Sequence, residues 1–521
     1  MKYFLICILF ISHNLFSQNT ADILIIHGKI FDGTGNPWFY GDVAVKNGKI
    51  ISVGNLQNWH AQKTIDATGL IVSPGFIDVH THIEDDEIKN PLATNFILDG
   101  VTTVITGNCG LSHTNIRQYL SFIDNLHISI NVATLIGHND LRKVVMGDAD
   151  REPTAKELQK MESLTEQAMK EGAVGFSTGL IYIPGTYSKT GEIVALAKVA
   201  AKYNGVYASH IRDETDSVTQ AINEAFTIAK QANIPLEISH FKLSGQQNWG
   251  RSKETLPMVI KAREEGLDVT IDQYPYTASS TSLSTLLPDW ALADGKDSVK
   301  ARLQRPGTRQ KISEYILLRL SKRKLEHFSY ASVAYYKADT TFNGKNIEEI
   351  NLLMKRDHNA SAEAETVMDM MLHGGAEMVF HGMSEEDVKY IMQYPFNMPA
   401  SDGGIRVYGE GAPHPRSYGT NARILGKYVR DEKLFSFEEA IRRMTSLPAQ
   451  KFHFTDRGLI REGFAADIVI FDPGIVNDLS TFEKPHQYAT GFKYVLVNGK
   501  ITVENGKHTG ARNGHALYHK P

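Results

Sequence analysis

The sequence predicts an α/β protein: a (β/α)8 TIM-like barrel, a small β-sandwich domain built from both termini, and an inserted subdomain near the last barrel strand. Three observations carry this. Eight strand-like runs alternate with helix-like ones through the middle of the chain, which argues a parallel sheet and, at that number, a closed one. Short strands and tight turns occupy both ends. Residues 281–395, between the last two strand candidates, are too many for a loop.

Taken in order, Met1-Lys2 and the apolar run from Tyr3 to Phe16, followed by Ser17-Gln18-Asn19-Thr20, read as a signal peptide over residues 1–19. The run is too short and too interrupted for a membrane span, so export to the periplasm or medium is expected, with no stable membrane insertion once the leader is removed. Residues 20–72 and 455–521 form the small β domain. Its hairpin signals are Lys46-Asn47-Gly48-Lys49 and Val497-Asn498-Gly499-Lys500, because Asn-Gly supplies the two positive-φ positions of a type I′ turn. The barrel takes 73–454, with 281–395 as the insert over its mouth. Its strand candidates are Phe76–His82, Thr102–Thr106, Ile128–Ile136, Val174–Thr178, Val206–His210, Leu236–His240, Val269–Tyr274 and Met398–Asp402. Helices are expected at Thr154–Glu171, between Pro153 and Gly172, and at Glu192–Tyr203 and Thr215–Gln231. The insert carries helical patterns at Val299–Leu318 and Ala362–Leu372.

Composition removes some functions. With 55 basic and 59 acidic residues, a net charge of −4 and no long basic block, nucleic-acid binding has no support. The cysteines are Cys7 and Cys109 alone. Removal of the leader leaves one thiol and no internal disulfide, so Cys109 needs another role.

That role comes from its neighbours. In Gly75-Phe76-Ile77-Asp78-Val79-His80-Thr81-His82, residues i and i+2 of a strand share a face, so His80 and His82 project together. His-x-His alone is weak. Yet His80, His82, Cys109, His210, His240, Tyr274 and Asp402 all fall at or just beyond the C-terminal ends of strand candidates, where a (β/α)8 barrel gathers its active site. Any one of them reads as an ordinary hydrogen-bonded core residue; six strand ends together do not. Imidazole, thiolate and carboxylate are zinc ligands, and a thiolate selects zinc over magnesium or calcium. Cys109 as a nucleophile activated by a nearby histidine is the competing role.

The motifs His80-Thr81-His82, Gly107-Asn108-Cys109-Gly110, Ser209-His210-Ile211-Arg212-Asp213-Glu214, Ile238-Ser239-His240-Phe241-Lys242, Asp272-Gln273-Tyr274-Pro275-Tyr276, Ser401-Asp402-Gly403 and His414-Pro415-Arg416 resemble the amidohydrolase superfamily. More narrowly they look like N-acyl-D-amino-acid deacylases, as does the stretch from Gly179 to Gly185. The resemblance implies hydrolysis of N-acyl-D-amino acids, small-molecule substrates, with one tight zinc on Cys109, His210 and His240. It places His80, His82 and Asp402 at a weak second metal position, with Cys109 as bridge, and Asp402 as catalytic base. It gives Tyr274 to the scissile carbonyl, and Arg416, Lys242 and Tyr182 to the substrate. The fourth strand, Ala173 to Thr178, lacks the lysine that hydantoinase-type relatives carry, which favours the deacylase branch. Asn421 stands where the family often has an aromatic, a change expected at the mouth. His138 is expected to support the site or contact substrate, His381 to lie on the surface, Tyr276 to pack, and Arg212 and Glu214 to hold a loop. The competing functions are hydrolysis of cyclic amides or D-containing dipeptides and, from another class, non-catalytic binding on the same scaffold.

Overall fold

The computed structural model describes residues 19–520. The expected signal peptide, Asn19 apart, lies outside the described residues, among which no helix is long and apolar enough to cross a membrane.

The architecture is mixed α/β. Eight strands, every neighbouring pair parallel, follow one another in chain order: Phe76–Asp78, Val101–Thr106, Asn131–Thr134 with Ile136–Gly137, Gly175–Gly179, Val206–His210, Leu236–Ile238, Val269–Gln273 and Asn397–Pro399. The eighth returns to the first beyond their regular ends, where Asp402 N donates to His80 O at 2.8 Å and His82 N to Gly403 O at 2.8 Å. The ladder thus runs round a ring, and parallel pairing places all eight C-terminal ends on one side.

Four strands stop before the residues expected to extend them, the seventh by a single residue, at Gln273 rather than Tyr274, and three others by two to four. Phe76 ends its strand at Asp78, not His82; Leu236 at Ile238, not His240; and the eighth at Pro399, not Asp402. Buried carboxylates take over from the ladder. Asp78 accepts the amides of His80 and Ser401, each at 3.1 Å, and Asp272 that of His240 at 2.8 Å. Freed from pleating, Cys109, His240 and Asp402 take positive φ (54°, 36° and 48°), a conformation non-glycine residues rarely adopt and one that gathers at functional sites.

The helix over Ala155–Lys170 has a capping box, Thr154 with Glu157, and Gly172 at φ +112° just beyond its end, as its flanking residues predict. The terminal segments form one nine-stranded sheet. In it Ile71–Pro74 pairs with Thr20–Ile30 on one side and with Ile468–Phe471 on the other. Both Asn-Gly turns have positive φ at both positions, and they abut: a Cβ on Gly499 would come within 2.7 Å of Gly48 Cα.

Immediately after the seventh strand, Ala278–Ser282 begins a three-stranded antiparallel sheet with Glu377–His381 and Ala331–Tyr335. With helices that include Pro306–Lys322, Ile347–Leu353 and Ala360–Leu372 it encloses a separate apolar core containing Ile312, Ile316, Val367, Met368 and Met378. The sequence Ala-Ser-Ser-Thr-Ser gives no apolar alternation, so this sheet carries no signal of its own.

Candidate metal-dependent active site

The C-terminal ends of the ring strands border a cavity of about 1710 Å³. Cys109, His82, His210, His240, Asp402, Tyr274, Arg416, Lys242 and Tyr182 all line it; His80 lies just beneath, fully buried.

Cys109 is the hub. Its Sγ is 3.3 Å from His80 Nε2, 3.6 Å from His240 Nε2 and 3.7 Å from His210 Nδ1. The loop that presents it is pinned by Ser177 on the fourth strand, whose Oγ donates to Gly107 O and accepts from Gly110 N. Asp402 Oδ1 lies 3.2 Å from His82 Nε2 and 3.6 Å from His80 Nε2, so the two histidines do converge although the strand ends before either. Asp402 Oδ2 pairs with Arg416 at 2.9 Å, and the Arg416 guanidinium covers the Tyr274 ring at 4.6 Å. Tyr274 Oη points at Met383 Sδ, 3.8 Å away. Tyr182 stacks edge-on to His210 at 4.8 Å, and its hydroxyl accepts from Thr281 Oγ1 of the inserted subdomain at 3.1 Å.

Behind the donors stand groups that sequence reasoning gave no role here. Asp272 Oδ2 is 3.1 Å from His80 Nδ1, turning that ring's Nε2 toward Cys109 and Asp402. Glu214 Oε1 is 2.9 Å from His240 Nδ1 and accepts from Lys242 Nζ at 2.5 Å. Such carboxylates fix the ring's tautomer and orientation for ligation. A charge buried at the end of the apolar strand Val269–Gln273 could have flagged Asp272. Glu214, four residues past His210 on a loop, has no periodic signal.

Burial pushes the Cys109 thiol well above its ordinary range and holds His210 and His240 well below theirs. At Asp402 burial is the largest influence and raises the pKa. The Arg416 charge, with His80, His82 and His240, outweighs it and keeps the carboxylate well below its usual range. The donors fit a metal. His80, Cys109 and His240 offer atoms within 4.8 Å of one another, as do His80, His82 and Asp402, and His210, Glu214 and His240. His210 turns its Nδ1 toward Cys109, while its Nε2 is buried with no hydrogen-bond partner, 4.0 Å from Glu214 Oε1.

Other expectations fall elsewhere. Lys242 does not reach the site by strand alternation, because its strand ends at Ile238; a loop carries it there, and Glu214 holds it. Glu214 therefore does more than hold a loop. Arg212 does hold one, donating to Thr186 O and Ser188 O. His138 is not at the cavity: it is buried against Glu192 at 2.8 Å, beside Arg142. Asn421 is not at the mouth either. It is buried, with both its backbone and side-chain nitrogens donating to Asp99. His381, partly buried, ends an insert strand against Phe482, and Tyr276 packs, its hydroxyl on Asp478.

The amidohydrolase family model matches residues 63–301 and 359–503. The D-aminoacylase of Alcaligenes xylosoxydans xylosoxydans is 33% identical over 519 residues, covering 95% of this chain and 97% of that one. An N-acyl-D-aspartate deacylase of the same organism is 33% identical over 522 residues, 95% of each. Among solved structures, the N-acyl-D-glutamate deacylase of Bordetella bronchiseptica, complexed with zinc and a phosphonate mimic of the tetrahedral intermediate, superposes with TM-score 0.82 at 33% identity. It covers 96% of this chain and 100% of that one.

Proposed function

The chain belongs to the amidohydrolase family, and on that premise we propose that it hydrolyses N-acyl-D-amino acids to a carboxylate and a free D-amino acid. The observation that carries this is the convergence of Cys109, four histidines and Asp402, with Arg416 beside them, at one end of the ring. In the same reading the ring is a (β/α)8 barrel, and the terminal sheet, whose arms share one apolar core, folds as a sandwich.

One zinc would be held by Cys109, His210 and His240, and His80, His82 and Asp402, together with Cys109, would supply a weaker second position. When bound, zinc supplies Lewis acidity, polarising the scissile carbonyl and lowering the pKa of water. Arg416 binds the substrate α-carboxylate. In doing so it leaves Asp402 Oδ2, its partner here at 2.9 Å, free to take the proton of the attacking water and pass it to the leaving amine. Tyr274 donates to the carbonyl oxygen as charge develops there. Lys242 and Tyr182 complete the substrate contacts.

The test is release of free amine from paired N-acetyl-D- and N-acetyl-L-amino acids by the zinc-loaded mature protein. D-selective release that stops on chelation is expected. Release only from hydantoins or D-containing dipeptides would overturn the reading in favour of those substrates, and binding without release would make the protein a non-catalytic one. The leader-like Met1 to Phe16 supports export; fractionation of cells expressing the full chain is expected to place the mature protein outside the cytoplasm.

A further inference from the structure

A second gathering of ligand-type side chains lies in the inserted subdomain, and none of it lines the central cavity. His327 follows the helix Pro306–Lys322, Glu348 sits in the first turn of Ile347–Leu353, His358 precedes Ala360–Leu372, and Glu363 lies in the first turn of that helix. Their donor atoms all lie within 4.8 Å of one another. His327 Nδ1 is 2.5 Å from Glu363 Oε1 and 3.8 Å from Glu348 Oε1, and His358 Nε2 is 2.6 Å from Glu348 Oε1. The imidazole rings stack, centroids 4.5 Å apart and 26° from parallel.

We propose that His327, Glu348, His358 and Glu363 form a divalent-cation site of the zinc type, separate from the ring face, that ties three segments of the inserted subdomain together. Two imidazoles and two carboxylates are a complete structural zinc set, and tetrahedral bonds of about 2.0–2.2 Å put ligand atoms about 3.4 Å apart, inside the span observed. Anchoring is uneven, as an exchangeable site requires. The Glu363 side chain is fully buried and also accepts Phe328 N at 2.7 Å, while the His358 side chain is 53% exposed and gives the ion its way in. The helix leading to His327 contributes Tyr315, Leu318, Arg319 and Lys322 to the wall of the central cavity, so the ion would brace that wall from behind.

The site does not depend on the proposed reaction, and its test reads metal, not turnover. Full-length mature protein, wild type and the variants His358→Gln and Glu348→Gln, is dialysed to equilibrium against buffered Zn2+ and its metal counted by mass spectrometry. At saturation of the wild type, each variant is expected to hold one equivalent fewer. Zn2+ is also expected to slow amide exchange in Ile347–Leu353 and Ala360–Leu372 in the wild type only. Equal zinc in all three proteins, or exchange in those helices indifferent to zinc, would overturn the proposal and leave an ion-pair network only. His358 is half exposed, so its variant reports on binding without threatening the core.

Discussion

The ring face and the inserted subdomain both gather histidines and carboxylates, by opposite routes. The ring draws its donors from residue 80 to residue 402, delivered by five different strand ends, and steers them with Asp78, Asp272 and Glu214. The insert collects its four between residues 327 and 363, on loops and first helical turns, over a core of its own. The first arrangement exists only when the whole ring has closed. The second needs only the subdomain, which can change while the ring stays as it is.

The largest expected effect lies on the ring. Asp402→Asn should lower kcat by about 10²–10⁴-fold, the ordinary worth of a general acid–base group, with the fold intact by circular dichroism. A loss under tenfold would remove Asp402 from the reaction and with it the contrast between the two faces. Next come the two cores. Phe176→Ala, between ring strands and helices, should cost about 3–5 kcal/mol in global unfolding, read by denaturant titration. Met368→Ala should cost about 2–5 kcal/mol, felt by amide exchange within the insert alone. Spread of the second effect into the ring would show the subdomain to be no independent unit. Glu214→Gln should weaken zinc binding at the ring face by about 10–100-fold, measured by competition with a chelator, since it removes the carboxylate behind His240. The smallest effect probes the seam. Thr281→Val deletes the hydrogen bond by which the insert holds the Tyr182 hydroxyl, and should raise KM by the equivalent of about 0.5–1.5 kcal/mol with kcat little changed.

What could be read in advance follows the range of the forces involved. The ring strands, the helix after Thr154 and both Asn-Gly turns declare themselves because their signals are local: alternation, capping and positive φ. The donors are legible because each falls at or just beyond the end of a strand candidate. What sequence hid was long-range. No local pattern tells that Asp272 will reach His80, or that Asp78 and Asp272 will take amides from the ladder and end it early. His138 misled because it occupies the right strand end while its ring faces Glu192 behind the strand, not the cavity. Ala278–Ser282 was invisible because a polar strand beside an antiparallel neighbour needs no apolar period.

The terminal sheet has a consequence for how the molecule comes into being. Ile71–Pro74, one residue ahead of the first ring strand, is hydrogen-bonded to Thr20–Ile30 and also to Ile468–Phe471. One of its edges therefore waits, during synthesis, for nearly the whole chain to leave the ribosome. Pairing across such a separation makes closure slow, and the unpaired edge is a point of misassociation until the last strands arrive. Truncation near the C-terminus should for that reason harm yield of soluble protein far more than its distance from the cavity suggests.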